Sequence, residues 1–215
     1  MQQEVLIEIF IGYNMTDFEP IEIYDVIDYN YSMEILNKVT NIEFDWHFMN
    51  DTTYEDRLDQ DPRHSTPSFA HLIYHPNNQH NPHLDFFMPL LNATCEKAGL
   101  ELHTLLRMRL GFLLNTKYSF PHLPYEYNTP HRDYEQEHFT ACYYVNSSDG
   151  DTVIFHEKDQ PLLTGQKYHR KFKSEPLQGK VLVFNGWHFH ASTCPKMHNQ
   201  RIVLTMNFTA GQKNG

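Results

Sequence analysis

Between residues 139 and 208 the chain is cut into short apolar runs, at 139–146, 152–156, 180–185, 189–192 and 201–208, separated by turns containing Gly, Pro or Asn. Runs of this length, rich in Val, Ile, Phe, Tyr and Thr, read as strands. Many short strands with tight turns argue an antiparallel barrel or jelly roll, preceded by helices that cover one sheet. Residues 102–114 read as a further buried strand, with Arg107 and Arg109 on one face and Met108, Leu110 and Phe112 on the other. No internal repeat or low-complexity segment interrupts this pattern.

Upstream, 5–11 and 19–26 read as two strands, with a hairpin across 14–17. A short helix is expected over 32–39 with Ser32 as its cap, and another strand over 42–48. The stretch 50–79 is polar and broken by Asp61-Pro62, Thr66-Pro67 and His75-Pro76, so no regular element is expected there. A helix over 82–99 has Pro82 at its start and Gly99 after its end, with Pro89 as the alternative first position. The connection 115–130, carrying Tyr118, Tyr125 and Tyr127, is long for a loop and delivers the chain to His131. The expected organisation is residues 1–100 as strands and helices packing on the barrel and 101–215 as the barrel core, together one compact unit. A mass of 25.5 kDa is ample for that core.

Chemistry concentrates at His131-Arg132-Asp133, just upstream of the strand run. On extended backbone, side chains at i and i+2 share a face, so an imidazole nitrogen and a carboxylate oxygen can meet one ion. His188-Phe189-His190 can supply a second imidazole, from either histidine if Phe189 is extended. Two histidines and one carboxylate with open positions form the arrangement expected for non-haem Fe(II). A composition with 15 His and 27 acidic residues also produces His-x-Asp triplets by accident, and His83-Leu84-Asp85 is read as one, because i, i+2 side chains diverge on a helix. Order and context distinguish the triplet at 131.

A net charge of −10 argues against sequence-independent nucleic-acid binding. The basic cluster 167–173 reads as a solvated loop or strand edge, with contact to an acidic substrate as the alternative. No apolar stretch has the length of a membrane span, and MQQEVLIEIF has no basic flank of a signal peptide. Cys95, Cys142 and Cys194 are an odd number without metal-site spacing, which favours a reducing, cytoplasmic location.

From 102 to 208 the chain resembles the 2-oxoglutarate/Fe(II)-dependent dioxygenases, particularly the branch containing the prolyl 4-hydroxylases. The resemblance rests on His131-x-Asp133, Tyr143-Tyr144-Val145-Asn146, and Asp149-Gly150-Asp151-Thr152 where that family often has Gly-Gly-Glu-Thr. It continues through Gly179-x-Val181-x-Val183-Phe184, His190-Ala191-Ser192 and Arg201, and does not extend into the first hundred residues. It implies a double-stranded β-helix, iron held by His131, Asp133 and His190, and a 2-oxoglutarate carboxylate paired with Arg201. The family's ligand precedes Ala-Ser, which selects His190 over His188. Tyr144, on the strand face shared by Thr140 and Cys142, is implied as a second anchor or else as core packing. The implied reaction consumes O2 and 2-oxoglutarate, hydroxylates an unactivated C–H bond of a peptidyl prolyl or other amino-acid side chain or of a small molecule, and releases succinate and CO2. The alternatives are a cupin-like metal-binding module without oxygenase activity and, least favoured by charge, a nucleic-acid dealkylase.

Overall fold

The computed structural model describes residues 18–53, 66–77, 81–116, 126–158 and 168–213. The readings of a strand at 5–11 and a hairpin at 14–17, and the residues Tyr118, Tyr125 and Lys167, lie outside them. In order, the elements are β1 (Ile21–Ile23), α1 (Tyr29–Val39), β2 (His47–Met49), β3 (Ser68–Tyr74), α2 (Leu84–Lys97), β4 (Leu100–Leu114) and β5 (Phe139–Tyr144). They continue with β6 (Thr152–Phe155), β7 (Arg170–Ser174), β8 (Val181–Asn185), β9 (His190–Ser192) and β10 (Gln200–Gln212).

All pairings are antiparallel and fall into two sheets, a major one in the order β1-β8-β5-β10-β4-β3-β2 and a minor one in the order β7-β6-β9. This is the expected jelly roll, a double-stranded β-helix, with α1 and α2 beside it. Strands of the first hundred residues are hydrogen-bonded into the major sheet at both edges, β1 on β8 and β3 on β4.

Alternation on the central strands assigns their two faces. On β10, Ile202, Leu204, Met206 and Phe208 join Met108, Leu110, Phe139, Ala141, Tyr143, Val181 and Val183 in the large core, which the helices cover through Ile35, Val39, Phe87, Leu90 and Leu91. The opposite face carries Cys142, Tyr144, Leu182, Phe184 and Val203, which pack with Ile154 of the minor sheet. The space between the two sheets that this smaller cluster leaves open is the cavity.

Several local expectations are corrected. Asp28, not Ser32, caps α1: its carboxylate accepts the N–H of Tyr31, while Ser32 is buried one turn in and accepts the Tyr143 hydroxyl at 3.0 Å. The strand expected at 42–48 is three residues at His47–Met49, because Asn41–Phe44 closes a turn with a 3.0 Å backbone bond. β3 was not foreseen within the polar stretch: SFAHLIY is a short run between proline-rich flanks, and it forms because β4 offers it an edge. Pro89 sits inside α2, which begins at Leu84. The basic cluster lies at a strand edge as expected: its residues from Arg170 to Lys173, with Ser174, form β7 at the edge of the minor sheet, with Lys171 on Glu19 at 2.9 Å and Lys173 on Asp151 at 2.7 Å.

Candidate metal centre and cosubstrate cavity

His131 and His190 meet because they are directly opposed across a one-residue antiparallel bridge, closed by reciprocal N–H to O=C bonds of 2.9 Å each. Opposed residues project to the same side, and the two ring centroids are 4.6 Å apart. His131 therefore lies on a bridge rather than at the head of a longer strand, and the chain bends at Asp133 to bring its carboxylate back beneath the rings. Asp133 Oδ1 is 3.8 Å from His131 Nε2, and Oδ2 is 3.6 Å from His190 Nε2. One donor atom from each of the three residues lies within 4.8 Å of the others, the one such group of three or more His, Cys, Asp or Glu found among the described residues.

Both imidazoles are set to present Nε2. His131 Nδ1 faces the Thr129 carbonyl at 3.1 Å and His190 Nδ1 faces the His188 carbonyl at 3.2 Å. A carbonyl only accepts, so each Nδ1 carries the proton and each Nε2 keeps its lone pair toward the other donors. Burial, followed by the neighbouring His190, pushes the His131 pKa down to about 3, so that ring is neutral at physiological pH. Burial opposes ionisation of Asp133, but Arg107 and the two histidines outweigh it and hold the carboxyl well below its usual range. Two imidazoles and one carboxylate suit a divalent transition metal.

Arg132, between the two proposed ligands, points the other way. Its guanidinium lies 4.6 Å from the Trp187 ring centroid and 5.1 Å from that of Phe189, and its Nη1 donates to the Lys158 carbonyl at 2.8 Å. The segment is thus pinned outside while its flanking residues face inward. His188 is turned from the cluster: Nδ1 meets the Phe155 carbonyl at 2.8 Å and Nε2 faces Lys171 Nζ at 3.5 Å. Burial and the nearby lysines push its pKa down to about 4.

The cavity beside the cluster is lined from both sheets, by Thr152, His190 and Ser192 on one side and by Arg107, Arg109, Cys142, Arg201 and Thr205 on the other. Thr52 and Ser68 bring the first hundred residues to its wall. Arg201 is 6 % exposed and has no carboxylate partner among the described residues; its Nη2 donates to Thr152 Oγ1 at 2.7 Å, and its Nε is buried without a hydrogen-bond acceptor. Gly150 packs on this side chain so closely that a Cβ there would stand 2.8 Å from Arg201 Cδ and 2.6 Å from the Thr193 carbonyl oxygen. Tyr144 sits one layer behind, fully buried, with its hydroxyl donating to Thr152 Oγ1 at 3.0 Å. With two donors on that oxygen, the Thr152 hydroxyl proton is left to point elsewhere.

Thr152, Gly150, Arg107 and Asn207 were not singled out for roles at the sequence level. Thr152 and Gly150 lie within the Asp149–Thr152 motif. Asn207 was signalled by being the one amide in the apolar run 201–208, an even number of residues from Arg201 and so on the same strand face. Arg107 carried no signal beyond being an arginine on a buried strand.

No protein-family model matches the chain, and no curated protein matches it in sequence. Solved structures match it in fold. An oxidoreductase of the 2OG-Fe(II) oxygenase family from Burkholderia pseudomallei superposes with a TM-score of 0.61 at 13% identity, covering 94% of this chain and 91% of that one. A prolyl hydroxylase from Trichoplax adhaerens, in complex with a hypoxia-inducible-factor peptide, gives 0.60 at 11% identity, with 90% and 84% covered. A non-haem α-ketoglutarate-dependent epimerase from nogalamycin biosynthesis gives 0.55 at 9% identity, with 91% and 81% covered. The chain has the double-stranded β-helix fold of these oxygenases, over nearly its whole length.

Proposed function

We propose that this protein is a 2-oxoglutarate- and Fe(II)-dependent oxygenase. The observation that carries the reading is Arg201: a buried guanidinium with no carboxylate partner among the described residues faces the same cavity as a cluster of two imidazoles and a carboxylate. A buried cation needs an anion, and its fork matches a carboxylate. A barrel that merely stored metal would have no use for it.

His131, Asp133 and His190 would hold Fe(II), and Arg201 with the Thr152 hydroxyl would hold the distal carboxylate of 2-oxoglutarate. Iron, 2-oxoglutarate and O2 together supply the oxidising power to hydroxylate an unactivated C–H bond, with release of succinate and CO2. The protein's own contribution is placement. The two Nδ1–H to carbonyl bonds fix the imidazole lone pairs, and Tyr144 acts through Thr152 rather than by touching the cosubstrate. Burial keeps that phenol protonated, as a donor to Thr152 must be.

For the substrate we favour a peptide or amino-acid side chain, supported by the peptide held by the Trichoplax neighbour. The epimerase neighbour keeps a small molecule as the second choice, because one scaffold hosts both. A nucleic-acid substrate is disfavoured by the net charge of −10. No helix among the described residues is long and apolar enough to cross a membrane, and Cys95, Cys142 and Cys194 are free and buried, which supports a reducing, cytoplasmic setting.

The test is anaerobic titration with Fe(II) and 2-oxoglutarate, then measurement of succinate released in air against peptide, amino-acid and nucleotide panels. His131→Ala and Asp133→Ala are expected to lose metal and succinate formation together. Succinate formation retained by either variant would remove the proposed centre.

A further inference from the structure

The Asp133 side chain is 6 % exposed, and each of its oxygens receives an N–H from the major sheet. Arg107 Nη2 donates to Oδ1, and Asn207 Nδ2 donates to Oδ2 at 2.8 Å. The two donors are directly opposed in the β4–β10 pairing, and Arg107 Nε donates to Asn207 Oδ1 at 3.1 Å. The second Asn207 amide hydrogen goes to Thr140 Oγ1 at 3.0 Å, on the residue opposed to it across β5. The amide is therefore saturated in one orientation only. Its oxygen faces a guanidinium that cannot accept, and its nitrogen faces a carboxylate that cannot donate, so rotating it by half a turn would break both contacts.

A guanidinium beside a site for a divalent cation repels the metal, so its presence calls for a compensating role. We propose that Arg107 and Asn207 are positioning residues for Asp133. From a rigid three-strand row they fix the plane of the carboxylate and engage a lone pair on each oxygen, so that Asp133 presents a defined donor to the metal beside the two imidazoles. This rests on the reading of His131, Asp133 and His190 as a metal centre. Hydrogen-bonding partners of metal ligands commonly set affinity by about 10–100-fold.

The experiment titrates Co(II) into the full chain and follows the visible d–d absorption of bound cobalt and the metal-induced rise in Tm, neither of which needs turnover. Asn207→Ala changes no charge and is expected to weaken Co(II) binding about ten-fold or more and to alter the absorption band. Arg107→Met is expected to weaken it about 10–100-fold. Arg107→Lys restores the charge but not the two-armed contact, and is expected to recover only part of the loss. If Arg107→Met fails to fold, as judged by circular dichroism, Asn207→Ala and Arg107→Lys decide. Affinity equal to or tighter than that of the unmodified chain in the folded variants overturns the positioning role and leaves the metal centre standing. Absence of Co(II) binding in the unmodified chain, or undiminished binding in His131→Ala, removes the centre itself and the proposal with it.

Discussion

Gly150 shows how a residue without a functional group can govern a binding site. Its lack of a Cβ is required because Arg201 Cδ and the Thr193 carbonyl oxygen occupy the space where one would sit. Gly150→Ala must displace both, the Thr193 backbone as well as the Arg201 side chain, so the guanidinium loses its place. The expected outcome is a rise of about ten-fold in the 2-oxoglutarate KM, on the order of 1–2 kcal/mol, with Co(II) affinity unchanged. Arg201→Ala is expected to raise the same KM about 100-fold, on the order of 3 kcal/mol, because it removes a charge-assisted contact altogether. Steady-state kinetics at varied 2-oxoglutarate checks both. At this scale the cluster of His131, Asp133 and His190 was legible in part: spacing marked His131 and Asp133, whereas spacing left His188 and His190 open and the resemblance selected His190, as it did the proposed role of Arg201. Arg107 and Gly150 were not, because their partners are chosen by sheet register and close approach, neither of which composition or periodicity encodes.

Among the elements, the turn before β6 and the loop before β10 are tied by one side chain. The Asp149 carboxylate accepts the backbone N–H groups of Lys196, Met197 and His198 at 2.8–3.0 Å and faces His198 Nδ1 at 3.0 Å. Burial opposes its ionisation, but these donors outweigh it and hold its carboxyl well below the usual carboxylate range. A carboxyl with a depressed folded-state pKa contributes stability that is present above its unfolded pKa and is lost as pH falls through the folded one. The Tm of Asp149→Ala should therefore lie below that of the unmodified chain at pH 7, with the gap narrowing as the pH is lowered beneath about 4. A gap constant from pH 7 to pH 2 would show that the carboxylate's charge has no part in the loop. Strand order in the second half was readable because each run is bounded by turn formers. β3 and the start of α1 were not: the first lies in polar, proline-broken sequence, and Asp28 and Ser32 are both acceptable caps until Tyr143 claims the serine hydroxyl.

For the whole molecule, the large core draws Val26, Ile35 and Phe87 together with Val181, Leu204 and Phe208. The expected outcome of denaturant unfolding is accordingly one transition, coincident by fluorescence and circular dichroism. β1 is held at the edge by Lys180, whose side chain is 3 % exposed and whose Nζ meets Glu22 Oε1 at 2.7 Å while lying 5.4 Å from the Tyr144 ring centroid. Glu22→Ala strands that ammonium and should cost about 2–3 kcal/mol, toward the low end for a buried pair because Glu22 is partly solvated. The role of the first hundred residues was illegible from sequence because their strands join edges created by residues far along the chain.

One strand, β10, carries Arg201 near its start and Asn207 six positions later, with both side chains on the cavity side. It thereby serves as a graduated rule between the proposed keto-acid anchor and the support of the proposed metal carboxylate, marked off in steps of two residues. Substituting any intermediate position alters the filling between the marks. Deleting a single residue between them would instead turn one end of the rule over, sending either the guanidinium or the amide into the hydrocarbon interior, so the strand can absorb an exchange of residues here but not a change of length.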